Sequence, residues 1–270
     1  MGFLYNLYTF FNTQMEKPAS FGSYHMLCIG ILLVFTVVFI ALFKKASDKT
    51  VRGLACFFWV TLVVLEIIKQ IIFGVTDLGG MLTWEYEWYS FPFQLCSSPL
   101  YLLPFVAFCK NEKVRNTAIV FLITFSFFGG ACVYVFPNDV FAFRIFTNVQ
   151  TMVHHGVQLA FGAYLAFRYK NLLTFKNLVR ATGLFIIFLA IAMGLNLGSN
   201  AIFPSYGIDQ VMNMFYISPY IPCTLPVLSM IYPLVSYPVF LCVYVFGFML
   251  CAGLVMLLMK GLTKLTKASK

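Results

Sequence analysis

Seven stretches of this 270-residue chain are apolar over lengths that match a lipid bilayer, and that feature settles the fold class before any other is weighed. Six of them, near 21–43, 51–73, 114–136, 145–167, 174–197 and 236–259, run for about 22–24 residues, and a shorter one lies near 90–109. In hydrocarbon every backbone polar group must be satisfied by the spanning structure itself, which leaves helices or closed barrels. Barrel strands alternate in polarity over about ten residues, and these runs do not alternate. The expectation is an all-α polytopic membrane protein, a seven-transmembrane-helix bundle forming one membrane domain over 1–270. The charge content agrees: 10% of the residues are charged and 61% hydrophobic, where soluble domains carry about 25% charge.

The basic residues test that count. The loops after the first, third and fifth spans and the C-terminal tail hold Lys44, Lys45, Lys49, Arg52, Lys110, Lys113, Arg115, Arg168, Lys170, Lys176, Arg180, Lys260, Lys264, Lys267 and Lys270. Only Lys17, Lys69 and Arg144 of the 18 Lys and Arg residues fall elsewhere. Positive charge collects on the cytoplasmic side, so the N-terminus is expected outside, the C-terminus inside, and the protein in the cell membrane as a multi-pass chain. The net charge of +9 is therefore topogenic and implies no nucleic-acid partner; membrane lipids are the expected neighbours.

Residues 1–19 are aromatic and lack a basic start, which suits an interfacial segment better than a cleaved signal. Trp84, Tyr86, Trp88 and Tyr89 suit the outer headgroup region. The stretch 198–235 is broken by Gly198, Pro204, Gly207, Pro219, Pro222, Pro226 and Pro233, and is expected as an outer loop with interfacial or re-entrant pieces. The eight cysteines contain no CxxC pair, so neither a disulfide framework nor a metal site is expected, and no cofactor is implied.

With that orientation, His25, Gln94, Cys96, Ser97, Ser98, Asn148, Gln150, His154 and His155 all fall in the outer halves of their spans. So do Glu66, Lys69, Gln70, Asn196 and Asn200. Polar residues at membrane depth normally face a protein interior or a wet cavity, so the cluster marks a site just below the outer leaflet. Glu66, Lys69 and Gln70 share one helical face, which allows a local Glu66–Lys69 ion pair. Gln150, His154 and Gln158 share one face of the fifth span, and Asn148, Thr151 and His155 a neighbouring one. Gln94 and Cys96 would lie about 200° apart on a regular helix, so both face one cavity only if Pro92 or Pro99 distorts the turn. A buried cysteine is more often a small apolar packing residue than a nucleophile, and a membrane histidine more often a hydrogen-bonded packing residue than a catalyst. The motifs of the common soluble enzymes, GxSxG, HExxH, the P-loop and GxGxxG, are absent.

Several strings, taken in order, resemble the YwaF-type, TP0381-like family of bacterial integral membrane proteins. They are Phe21-Gly22-Ser23-Tyr24-His25, Glu66, Phe91-Pro92-Phe93-Gln94-Leu95-Cys96, Phe127-Phe128-Gly129-Gly130-Ala131 with Phe136-Pro137, His155-Gly156, Asn213-Met214-Phe215-Tyr216 with Pro219, and Tyr232-Pro233 with Tyr237. That pattern has histidine where this chain has Gln94, which hydrogen-bonds but does not transfer protons near neutral pH. The architecture also looks similar to that of a eukaryotic ether-phospholipid acyltransferase and, more distantly, to the androgen-induced family of membrane lipid hydrolases. Those resemblances imply acyl transfer or hydrolysis on a lipid. The candidate base is His155, or His154; the candidate nucleophile is Cys96 or a hydroxyl of Ser97 or Ser98. Gln94 or Asn148 would serve an oxyanion, with Glu66, His25 and Asn196 lining the substrate site. The alternative is a non-catalytic binding or transport protein for a small or lipidic solute, and a third reading is an assembly or structural membrane factor; transporters commonly carry internal repeats, and none is visible here.

Overall fold

A computed structural model describes residues 2–268, with side chains described as far as residue 265. Lys270 and the side chain of Lys267, both counted among the basic tail, lie outside the described residues. The chain is all-α apart from one short hairpin. Helix α1 (Phe3–Phe11) precedes α2 (Ser23–Phe43) and α3 (Asp48–Gly74), and the hairpin β1 (Val75–Asp77) with β2 (Leu82–Trp84) pairs Thr76 with Thr83 in antiparallel register. Then come α4 (Ser98–Phe108), α5 (Glu112–Phe121), α6 (Phe127–Val135), α7 (Ile145–Arg168), α8 (Phe175–Ile202), the single turn α9 (Leu228–Ile231) and α10 (Tyr237–Ala268).

Among the described residues, five helices are long and apolar enough to cross a membrane: Ser23–Phe43, Asp48–Gly74, Glu112–Val135, Phe175–Tyr206 and Tyr237–Leu265. Helix α7 has 24 residues, but its histidines, glutamines and asparagine dilute its hydropathy. The run near 90–109 is helical only from Leu95 to Phe108. Its start is non-helical because Pro92 holds the chain extended, and Gln94 is still extended at φ −109° and ψ 171° where a 3-10 turn (Leu95–Ser97) begins. At the other limit α8 carries helix through Ile202, so the proline-broken stretch starts later than residue 198.

Three helix starts share one device. Ser47 accepts from Thr50 N–H, Asn111 from Lys113 and Val114 N–H, and Thr174 from Asn177 N–H, so free donors of the first turn are capped by side chains. These starts meet at one end of the bundle, called here the basic end. The hairpin, α1 and the stretch 203–235 occupy the opposite, hairpin end, where Tyr8 Oη donates to Val75 O and Gln210 Nε2 to Tyr86 O.

Helix α7 is the axis of the packing. It lies against α2, α3, α6 and α10 and is buried along most of its length, whereas α2 buries only His25 and Phe39. Between α5 and α6 the backbone widens into a π-turn (Leu122–Ser126). Its Leu122 carbonyl approaches α7 so closely that a Cβ on Gly162 would sit 3.0 Å away, which explains the glycine. Aromatic rings fill the middle, among them Phe125 on Phe185 at 4.8 Å and Tyr244 on Phe248 at 4.6 Å.

Candidate functional site

The polar residues of the hairpin half divide into four groups by what each one bonds. In the first, Glu66 accepts from Lys69 Nζ at 2.7 Å, Gln70 Nε2 at 2.6 Å and Gln150 Nε2 at 3.4 Å. Gln70 also donates to Ser90 O and accepts from the Tyr86 hydroxyl. Burial pushes the Tyr86 phenol up from its ordinary value, which keeps it a donor. The i, i+3 pair read from the sequence is thus present, and three donors on the one carboxylate make Glu66 an acceptor hub within a closed network.

The second group holds backbone. Asn196 accepts from Met214 N–H at 2.6 Å and donates to Met214 O at 3.0 Å. Asn200 treats Met212 in the same way at 2.7 and 2.9 Å, and Gln94 accepts from Phe215 N–H at 2.6 Å while donating to Asn213 O at 3.0 Å. The Tyr244 hydroxyl donates to Phe215 O, and that of Tyr237 to Ile217 O. The segment 212–217 is therefore irregular, buried backbone whose polar groups are met by side chains. Phe215 and Tyr216 within it sit at φ 56° and 57°, a left-handed conformation that non-glycine residues adopt at a cost and that these clamps hold in place.

Asn148 forms a third group, accepting from Ala142 N–H and donating to Ala142 O, so its amide belongs to the turn before α7. His25, fully buried, likewise serves a turn: its Nδ1 accepts from Phe21 N–H at 2.9 Å, which places the ring proton on Nε2. Gln94, Asn196 and Asn148 are thus spent on separate stretches of backbone, and His25 is tied to the Phe21 turn through Nδ1 while its buried Nε2 has no partner.

The fourth group centres on Cys96. His154 Nε2 lies 2.8 Å from Cys96 O, and Gln158 Nε2 donates to the same carbonyl. A carbonyl only accepts, so His154 carries its proton on Nε2 and its lone pair on Nδ1. His154 Nδ1 and Gln158 Oε1 are both buried and have no hydrogen-bond partner. His155, one residue on, turns away: its Nδ1 donates to Thr151 O of its own helix at 2.7 Å. The two rings lie 5.4 Å apart. Cys96 stands beside Gly129, where an added Cβ would meet Sγ at 3.5 Å, and Gly130 brings α6 within 3.0 Å of the Gln158 amide in the same sense. Ser97 Oγ accepts from Gln94 N–H as a turn cap, and Ser98 Oγ pairs with Ser126 Oγ of the π-turn at 2.6 Å.

Sequence reasoning set Gln158 on the His154 face but left it out of the site; its link to Cys96 crosses between helices and has no signature along either. Tyr244 and Ser126 were missed outright for the same reason. The void beside Gln158 is about 10 Å³, room for no more than one water. A larger groove of about 480 Å³ runs along α8 between Trp88, Gly194, Gly198 and Phe203, and none of the expected site residues lines it. Among the described residues no three His, Cys, Asp or Glu side chains converge as a metal site.

The TMEM164 family model, a transmembrane family, matches residues 20–259, from the turn before α2 to near the end of α10. The chain belongs to the TMEM164 family. That finding overturns the resemblance to the YwaF-type, TP0381-like family. The strings that carried it are short combinations of aromatic residues, glycine and proline, which recur wherever phenylalanine-rich membrane helices pack closely and turn. No curated protein and no solved structure matches the chain. The TMEM164 match takes in Cys96, His154, Gln158 and the clamped segment 212–217 together, so the whole arrangement lies inside the family region.

Proposed function

We propose that this TMEM164 family member is a membrane-embedded acyl-transfer enzyme acting on lipid esters, with Cys96 as nucleophile and His154 as general base. In this reading the bundle crosses the cell membrane seven times with its N-terminus outside, and the site faces the outer half of the bilayer. The observation that carries the proposal is the unpartnered Nδ1 of His154, buried beside a cysteine whose carbonyl fixes the imidazole tautomer. An unmet buried acceptor costs about 1–3 kcal/mol, and a lone pair kept at that cost on the ring that bonds the Cys96 carbonyl is free to accept a proton. His155 keeps its lone pair on Nε2, because its Nδ1–H is tied to its own helix, and unlike His154 it does not bond the Cys96 carbonyl.

The chemistry balances on those groups. The Cys96 thiol gives its proton to His154 Nδ1 as Sγ attacks the ester carbonyl; the C–S bond forms, the C–O bond breaks, and the departing lipid oxygen takes the proton back from His154. A second lipid hydroxyl, or water, reverses the steps and frees the thiol. Gln94 and Asn148 each give one amide N–H and the amide oxygen to backbone, so an oxyanion would have to be met by the second N–H.

The test is turnover of a labelled phosphatidylcholine acyl chain by purified protein in vesicles. Cys96→Ala and His154→Ala should each lose at least about 10²-fold, the ordinary worth of a positioned base, and His155→Ala should lose far less. Size-exclusion elution of each variant checks that the fold survives. Full activity of Cys96→Ala, or no turnover by the unaltered protein, would sink the proposal in favour of lipid binding or transport.

A further inference from the structure

Helix α1 leaves one face without a partner in the fold. At 100° per residue Phe3, Leu4, Leu7 and Phe10 fall within an arc of about 120°. Three of them are among the most exposed large apolar residues, with Phe3 at 78%, Leu4 at 73% and Phe10 at 71%, and Leu7 is exposed at 42%. The opposite side is tied down: Tyr5 Oη donates to Asp77 Oδ2 at 2.9 Å, and Tyr8, which is buried, donates to Val75 O at 3.0 Å and accepts from Asn12 Nδ2. The chain after α1 is anchored as well, by Met15 N–H to Phe143 O, Ile145 N–H to Thr13 O and the ring of Phe11 against that of Phe146. The arc is therefore presented by a fixed helix.

We infer that α1 lies flat in the bilayer interface at the hairpin end, with the Phe3–Leu4–Leu7–Phe10 arc sunk into the boundary between headgroups and acyl chains. Three observations select lipid as the occupant. First, Tyr8 bonds the carbonyl of Val75, the residue directly after α3, so the helix sits at the level where an apolar span stops. Second, residues 2–15 carry no charged side chain, the first being Glu16 and Lys17, so no charge has to leave water when the arc is sunk. Third, Trp84 and Tyr89 at the same end are 72% and 63% exposed, as an aromatic belt at headgroup depth would be. Helices of this kind bind in proportion to the apolar area they bury. The inference does not depend on the acyl-transfer proposal.

A tryptophan placed in the arc reports what covers it. Leu7→Trp and Phe3→Trp, made in the full-length protein and reconstituted in phosphatidylcholine vesicles, add emission that is obtained by difference from the unaltered protein. That added emission should be lost in lipid brominated at shallow acyl positions and spared by aqueous iodide. Thr9→Trp, on the far side of the helix, should show much less loss to brominated lipid. Quenching of the Leu7→Trp and Phe3→Trp signals by iodide would overturn the inference by placing the arc in water. Insensitivity to both quenchers would overturn it equally, by placing the arc against protein, whether a second copy or another chain.

Discussion

The two ends of the bundle are held together by opposite means. At the basic end charges do it: Asp48 accepts from Arg115 at 2.7 Å, Arg52 at 3.0 Å and the Tyr169 hydroxyl at 2.7 Å. Arg115 also reaches Val106 O, and Arg52 reaches Ala107 O and Cys109 O, so the loops after α2, α4 and α7 close into one knot with Arg168 on Ala46 O. At the hairpin end, beside the one Glu66–Lys69 pair, neutral amides hold the backbone, Asn196, Asn200, Gln94 and Asn148 each serving both a backbone N–H and a backbone C=O. The contrast follows solvent. Asp48 and Glu112 keep 47% and 62% of their side chains exposed, so each ion pair retains a hydrated partner. Asn196 and Met214 are both fully buried. A carboxylate there would accept but not donate, whereas a primary amide matches a peptide group on both counts and brings no charge.

The largest effect that could break this contrast is at Asn196. Asn196→Ala strands the Met214 N–H, at about 1–3 kcal/mol, and leaves Met214 O only the Ile217 N–H, at about 1 kcal/mol for the lost bond, so the expected loss is about 2–4 kcal/mol in thermal or denaturant unfolding in detergent. Asn196→Asp should be no better near neutral pH, because its new carboxylate repels Met214 O. It should recover as pH falls, since burial raises the folded-state value of that carboxyl and protonation restores a donor. An Asn196→Asp protein as stable as the unaltered one at neutral pH would mean that the clamp does not hold the segment.

Next in size comes Arg115, 2% exposed and bonded to Val106 O, Tyr169 and Asp48. Arg115→Met keeps the stem's packing but leaves Val106 O unmet and Asp48 with two donors instead of three. The expected loss is about 1–3 kcal/mol, less than at Asn196 because Asp48 can turn to water. Unfolding of Arg115→Met at the same temperature as the unaltered protein would show that the knot is ornamental and that packing alone closes this end.

The same contrast explains what could be read from the sequence. Helix positions were legible because apolar runs of span length are a one-dimensional signal, and the basic loops because positive charge is confined to a few of them. The amide clamps were legible only as polar residues in apolar surroundings: the partners lie 18 residues away for Asn196 and 119 for Gln94, separations no helical period encodes. Gln94 and Cys96 come from a 3-10 turn entered from an extended residue, so angles drawn on a regular helix did not apply. His154 and His155 differ by one helical step. Which one meets Cys96 is set by the rotation of α7 against α6, where Gly130 and Gly156 allow close approach and the π-turn shifts the register of its neighbour.

The smallest expected effect separates charge from hydrogen bonding at the basic end. Asp48→Asn keeps an oxygen acceptor for the Tyr169 hydroxyl and a cap-like position at the start of α3, but removes the negative charge facing Arg52 and Arg115. With that side chain half exposed, the loss should stay within about 1 kcal/mol. Salt decides what that small loss is made of. Charges separated by more than about 10 Å are screened at 0.1 M ionic strength, and exposed pairs weaken further as salt rises. The gap between Asp48→Asn and the unaltered protein should therefore shrink when unfolding is measured at high salt, while the Asn196→Ala gap, which involves no charge, should not move. A salt-independent Asp48→Asn gap would mean that the knot works through hydrogen-bond geometry, like the clamps, and the distinction between the two ends would fail.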